Sequence, residues 1–289
     1  MIKNKLPPLC IMLGAGLWGT MSIFVRRMTA MGYSSMQSTF FRCAVTFLIL
    51  FVYVVIFDRE KLKIKFKDIW YFFGTGILSF SLMGYFYFTA ITMTTASTAA
   101  ILLYTSPFFV LLMSVLFFRE KITKRKLLAL ILAVGGCVAV TGLDFGKGAG
   151  IDSLLVGVMS GFTYALYSIF GTVALKKYSP VTITVYTFFF ASIACFFMAE
   201  PIELISKAEL ADLPFIILFA LTTALFPYLL YTLGLKNTEP GKAAILATTE
   251  PMVATLAGIF VFDEIPTAMS AVGILLILSA GVILNTKSK

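Results

Sequence analysis

The chain has 289 residues, of which 60% are hydrophobic and only 13% charged, with a formal charge of +9 and no histidine. Soluble domains are about 45–50% apolar and about 25% charged, so this much apolar surface cannot be hidden in water and the chain reads as a polytopic membrane protein. The missing histidine removes His proton relays, Ser-His nucleophiles and zinc-His centres together.

Ten apolar runs follow, each close to the ~20 residues a bilayer requires. The first covers about 8–28 and carries Gly14, Gly16, Trp18 and Gly19; it follows Lys3 and Lys5, lacks a small-residue cleavage pattern, and reads as a retained helix and not a signal peptide. The second, about 34–57, contains Arg42, and the third, about 68–91, is rich in Tyr and Phe. The fourth, about 95–118, carries Pro107, and the fifth, about 126–143, carries Gly135-Gly136. The sixth, about 151–174, holds Gly157, Gly161, Tyr164 and Tyr167, and the seventh covers about 181–199. The eighth, about 214–235, holds Pro227, Tyr228 and Tyr231; the ninth, about 241–262, holds Glu250-Pro251; the tenth covers about 266–285.

The Lys and Arg residues sit in the short connections, which points to lipid headgroups and not to nucleic acid. With the N-terminus inside, 18 of them fall in cytoplasmic segments and 4 (Arg26, Arg27, Lys147, Lys207) in outer ones, leaving Arg42 in a span. Ten spans with both termini cytoplasmic is the expected topology. The four cysteines, Cys10, Cys43, Cys137 and Cys195, lie in apolar runs without metal-like spacing and read as small packing residues.

The chain is duplicated. Residues 94–143 aligned with 238–287, an offset of 144, share 13 identities in 50 positions. Ala99, Ala100, Ile101, Leu102, Thr105, Pro107 and Glu120 fall on Ala243, Ala244, Ile245, Leu246, Thr249, Pro251 and Glu264, while Ser106 sits where the second copy has Glu250. At an offset of 146, Trp18 falls on Tyr164. Two units are expected, 1–147 and 148–289, each of five spans. Five is odd, so the copies lie in opposite orientations, a recurring plan of secondary transporters with the cargo site near the midplane.

Leu17-Trp18-Gly19, Phe41-Arg42, the Thr105-Ser106-Pro107 run with its Phe117–Thr123 ending, and the Ala243–Thr267 run together resemble the EamA branch of the drug/metabolite transporter superfamily. The resemblance spans the chain as two tandem units. It implies an all-α integral membrane fold of ten helices in two inverted five-helix repeats, and a carrier that exports small organic molecules from the cytoplasm.

Glu250 is the sharpest candidate residue. An ion at mid-bilayer is expensive and marks a functional position, here either a proton carrier or an anionic partner for an ammonium group. The bland alternative is a hydrogen-bonded carboxyl holding the Pro251 bend. Arg42 is a counter-ion, a gate, a clamp for a cargo carboxylate, or a structural arginine that snorkels outward. Trp18, Tyr104, Tyr164 and Tyr231 bring polar groups into mid-span and are expected to shape a cavity suited to apolar, aromatic or cationic cargo. Pro107, Pro227 and Pro251 break backbone hydrogen bonding and act as hinges or as static kinks. Glu120 and Glu264 read as structural ends of the paired spans.

The expected function is secondary transport of amino acids, apolar and aromatic first, by alternating access in the plasma membrane, as a monomer or homodimer, with protons as a coupling ion. The alternatives are export of cationic or quaternary drug-like compounds, and a membrane sensor or scaffold without flux. No nucleotide-binding loop, cofactor or metal site is called for, and an intramembrane enzyme lacks its nucleophile turn.

Overall fold

The computed structural model describes residues 6–142, 150–207, 209–265 and 267–285. The expected unit boundary at 147–148 and the cations Lys3, Lys5, Lys147, Lys287 and Lys289 lie outside these. The protein is all-α, with no strand among the described residues. Among the described residues, nine stretches are long and apolar enough to cross a membrane: α1 Leu6–Ala30, α2 Ser35–Phe57, α3 Phe66–Met93, α4 Ala96–Phe118, α6 Ile151–Ala174, α7 Pro180–Met198, α8 Leu210–Leu235, α9 Pro240–Phe262 and α10 Ala268–Asn285. The tenth, α5 (Lys124–Thr141), is apolar beyond its first turn of Lys124, Arg125 and Lys126. The ten expected spans are therefore present, with boundaries within a few residues.

Local chemistry sets the ends. Ser34 and Gln37 form a reciprocal capping box at the start of α2. Thr95, Thr123, Ser179 and Thr267 accept backbone N–H groups at the starts of α4, α5, α7 and α10. The α4 and α9 helices both end on a left-handed residue, Arg119 (φ 57°) and Asp263 (φ 53°), which the 144 offset makes equivalent. Large apolar side chains such as Leu116, Phe117, Phe197 and Phe260 are exposed on the bundle surface, where acyl chains replace water.

Packing pairs the two halves. The main contacts join α1 with α8, α3 with α6, α2 with α7, α5 with α10, α1 with α9 and α4 with α6. Exchanging each helix for its counterpart five along maps this set onto itself, as a two-fold relation between halves requires. The central core holds Ile11, Trp18, Cys43, Phe80, Tyr167, Phe188, Tyr228, Tyr231 and Leu246.

Five spans are not simple α-helices: α1 is interrupted at Thr20, between Leu6–Gly19 and Met21–Ala30, and four others are broken or widened. The α4 helix breaks between Ala96–Leu103 (α4a) and Ser106–Phe118 (α4b), and α9 breaks between Pro240–Ala247 (α9a) and Thr249–Phe262 (α9b). The α3 helix widens to a π-helix over Gly74–Ser81 and α8 over Leu221–Leu225. The irregularities of α3, α4, α8 and α9 fall at positions equivalent in the repeat, whereas the interruption of α1 has no counterpart in α6, which is continuous over Ile151–Ala174. They lie within the bundle, where backbone freed at membrane depth can be satisfied by protein.

Candidate functional site

The site is built on the break in α9. Pro251 has no N–H, so the α-helical partner of the Ala247 carbonyl is missing. The threonine hydroxyls beside it take up neighbouring carbonyls: Thr248 donates to Ile245 O at 2.7 Å and Thr249 to Leu246 O at 2.8 Å. The break restarts the helix at Thr249 and places Glu250 in the first turn of α9b, half-buried at mid-span. The α4 break is made in the same way, with Thr105 donating to Leu102 O at 2.6 Å ahead of Pro107.

Each break is gripped by the first helix of the opposite half. A Cβ on Gly19 of α1 would lie 2.6 Å from the Glu250 carbonyl oxygen, and one on Gly161 of α6 would lie 2.7 Å from the Leu102 carbonyl oxygen. Only glycine permits backbone approach this close.

Glu250 Oε2 accepts a hydrogen bond from the Tyr164 hydroxyl at 3.2 Å. Trp18 stands beside this pair, edge-on to Tyr228 at 4.9 Å and to Tyr164 at 6.4 Å, and tilted against Tyr231 at 5.4 Å. Glu250, Trp18, Tyr104 and Tyr164 form the wall between two cavities. The larger, about 410 Å³, extends past Arg42, Phe80, Tyr87 and Tyr228 to Arg26, Ser35 and Ala96. It therefore opens toward the end of the bundle that carries the α1–α2 and α3–α4 connections. The smaller, about 20 Å³, lies toward the other end, among Ser106, Pro107, Val110, Ser168, Tyr231 and Ala247. It holds about one water-sized volume.

Arg42 reaches the larger cavity with 5% of its surface exposed. Its guanidinium lies 5.0 Å from the Phe80 ring centroid and donates to Met21 Sδ at 3.3 Å, and its Nε has no hydrogen-bond partner among the described residues. Arg42 and Glu250 line one cavity without forming an ion pair.

Of the expected residues, Glu250, Trp18, Tyr104, Tyr164 and Arg42 thus face the larger cavity. Tyr231 stands apart, because its hydroxyl is spent on Ser168 at 2.7 Å and its ring on Trp18. Pro107 and Pro251 sit at the two helix breaks, whereas Pro227 follows the π-helix of α8. Phe80, Thr39 and Met21 are cavity residues the sequence did not mark, since nothing separates them from other side chains in apolar spans. Tyr85, also well inside a span, is 48% exposed and lines a groove with Met36, Thr89 and Met198, away from the site.

A ten-helix membrane bundle with a mid-depth cavity lined by the Glu250 carboxylate, the Arg42 guanidinium, a set of aromatic rings and, at its mouth, Arg26 defines a class of protein that handles a small solute within the membrane. The profile of the EamA-like transporter family matches the chain twice, over residues 6–142 and 152–286. An uncharacterised transporter of Archaeoglobus fulgidus is 32% identical over 282 residues, covering 95% of this chain and 94% of the relative. The uncharacterised transporter YdfC of Bacillus subtilis is 22% identical, covering 89% of this chain and 84% of its own. A crystal structure superposes with a TM-score of 0.81 at 14% identity, covering 96% of both chains, which bears on the fold alone. The chain belongs to the EamA-like transporter family and is a membrane transporter.

Proposed function

We propose that the protein exports small zwitterionic amino acids, apolar and aromatic ones first, by alternating access between two inverted halves in the plasma membrane. The observation that carries the reading is the pairing of opposite charges in one aromatic cavity: Glu250 on α9b and Arg42 on α2, unpaired with each other, with the Arg42 Nε lacking any hydrogen-bond partner among the described residues. A buried donor left unsatisfied costs about 1–3 kcal/mol, and a cargo carboxylate would recover it. Glu250, freed of any ion pair, would take the cargo ammonium or a proton. Trp18, Tyr104, Tyr164 and Tyr228 would hold the side chain, and cation–π attraction would favour the ammonium end.

The positive charge in the connections supports cytoplasmic termini. With that orientation the larger cavity faces outward and the smaller is its closed cytoplasmic remnant. Export rests on the family resemblance, and energy would come from the cargo gradient or from proton exchange. Export of cations lacking a carboxylate is disfavoured by Arg42, whose charge would repel them.

Counterflow into proteoliposomes, with labelled amino acids and labelled cationic metabolites, tests the reading on the wild type and Glu250→Gln. Uptake of apolar or aromatic amino acids, abolished in a folded Glu250→Gln, is the expected result. Preference for cations without a carboxylate would replace the cargo class. Binding without flux would turn the protein into a sensor.

A further inference from the structure

The two halves end their fourth helices alike but use the closing acid differently. Glu120 ends α4 and Glu264 ends α9, equivalent at the 144 offset. Their backbones match: each N–H bonds back six residues, Glu120 to Ser114 O and Glu264 to Gly258 O, both at 3.2 Å. Each follows a left-handed residue and precedes a threonine that caps the next helix.

The side chains do not match. Glu120, with a side chain 2% exposed, docks on the start of α9: its Oε2 accepts the Gly241 N–H at 3.1 Å. Lys126 completes the contact, with Nζ 2.9 Å from Glu120 Oε1 and 2.5 Å from Glu239 Oε2. A Cβ on Gly241 would lie 2.7 Å from Glu120 Oε1, so glycine is what admits the carboxylate. This cluster closes the end of the bundle where the cavity is small. Glu264 is instead 53% exposed and pairs with Arg26 at 2.6 Å. Arg26 lines the mouth of the larger cavity, and so does Ala96 at the start of α4. The residue equivalent to Gly241 is Ser97, in the first turn of α4a, whose N–H has no partner among the described residues.

We propose that Glu120 and Glu264 are alternating latches. Glu120 holds the start of α9 while the outer cavity is open. When that cavity closes, Glu264 swings from Arg26 onto the Ser97 N–H and hydroxyl at the start of α4, and Glu120 leaves Gly241. The proposal rests on the alternating-access reading and goes beyond it by naming the contact that holds each state.

Accessibility tests it without any cargo. In a background with the four native cysteines replaced, Ala247→Cys in the small cavity reports inward opening by reaction with an impermeant maleimide in inside-out vesicles. A charge-assisted hydrogen bond lost from one state shifts the equilibrium about tenfold. Glu120→Gln is therefore expected to label about tenfold faster than wild type, and Glu264→Gln about tenfold slower, because the pair Glu264 makes with Arg26 in the outward-open state is exposed and contributes little. A rate for Glu264→Gln equal to or above wild type overturns the proposal. The pair Ser97→Cys and Glu264→Cys leaves Glu120 in place and is expected to form an oxidative cross-link. No cross-link, in a protein whose wild type labels from both sides, also overturns it. Wild type that labels from the outer side alone would refute alternating access itself.

Discussion

Replacing Arg42 by methionine separates a structural arginine from one kept for cargo. The favourable contacts it makes are few. Cation–π attraction to Phe80 at 5.0 Å contributes about 2 kcal/mol if desolvated, and the Met21 sulfur is a weak acceptor. Against this stand an unsatisfied Nε, costing about 1–3 kcal/mol, and the desolvation of the charge itself. The terms nearly cancel, so Arg42→Met is expected to change stability by no more than about 1 kcal/mol, or about 3 °C in Tm. Binding is expected to respond very differently. Truncating one member of a buried charge pair costs about 2–5 kcal/mol, and the lower bound alone is about a 30-fold loss of affinity for amino acids. Amines of the same skeleton without the carboxylate should bind as well as before, or better. Thermal unfolding in detergent gives the first quantity; counterflow with phenylalanine and phenethylamine gives the second. A fall in Tm of more than about 10 °C with an unchanged ratio of acid to amine would refute the reasoning and return Arg42 to the scaffold.

Tyr164→Phe removes the hydroxyl on Glu250 and is expected to change cargo affinity about tenfold in counterflow. Tyr231→Phe strips Ser168 of its partner, so it should lower Tm yet leave affinity within about twofold. The neighbouring glycines of α5 should part company in thermal unfolding. Gly136→Ala drives a methyl to 2.8 Å from Ile277 Cγ1 and 2.9 Å from the Gly273 carbonyl oxygen of α10, costing about 1–3 kcal/mol. Gly135→Ala meets nothing within 4 Å and should gain about 0.5–1 kcal/mol. Between α6 and α7, hydrogen bonds from Lys177 to Asp68 at 2.6 Å and to Tyr71 at 3.1 Å hold the ammonium well above the usual lysine range. A raised folded pKa means the contribution is complete below the ordinary lysine value and is lost only as pH rises through the raised one. The Tm difference between wild type and Lys177→Ala should therefore stay constant from about pH 6 to 9, and a slope across that range would contradict it.

Much of this was legible in the sequence because membrane crossing demands so few things. Length and apolarity located ten spans, and the 144-residue echo located the counterparts of Pro107 and Glu120 before any contact was known. The mid-span ions were legible for the same reason, since Arg42 and Glu250 are too costly in hydrocarbon to be incidental. What stayed hidden depends on rotation about each helix axis. Nothing in the spacing tells that Tyr104 meets the cavity while Tyr85 faces away, or that Phe80 lies under a guanidinium. The π-helices were hidden too: Pro227 follows the one in α8, but the equivalent stretch of α3 has no proline to announce it. The sequence marks Glu120 only as a structural end of its own span, and its docking on Gly241 of the opposite half needs the third dimension.

The Ser106–Glu250 difference between the paired α4 and α9 motifs bears on how a symmetric frame could serve an asymmetric task. The α4 and α9 breaks, the π-helices, the left-handed ends and the threonine caps of α5 and α10 repeat in both halves. If the halves exchange roles between outward and inward states, each such feature must work equally well in either, which gives a reason for both copies to keep it. On the proposed function, by contrast, the cargo meets one site. A second carboxylate at Ser106 would line the wall of the small cavity shared with Glu250, and two like charges that close would oppose each other's ionisation. Serine there leaves Glu250 as the single anion of the site. On the proposed alternating access, the frame is thus duplicated where motion would need it and differs at the position where a second charge would oppose the first.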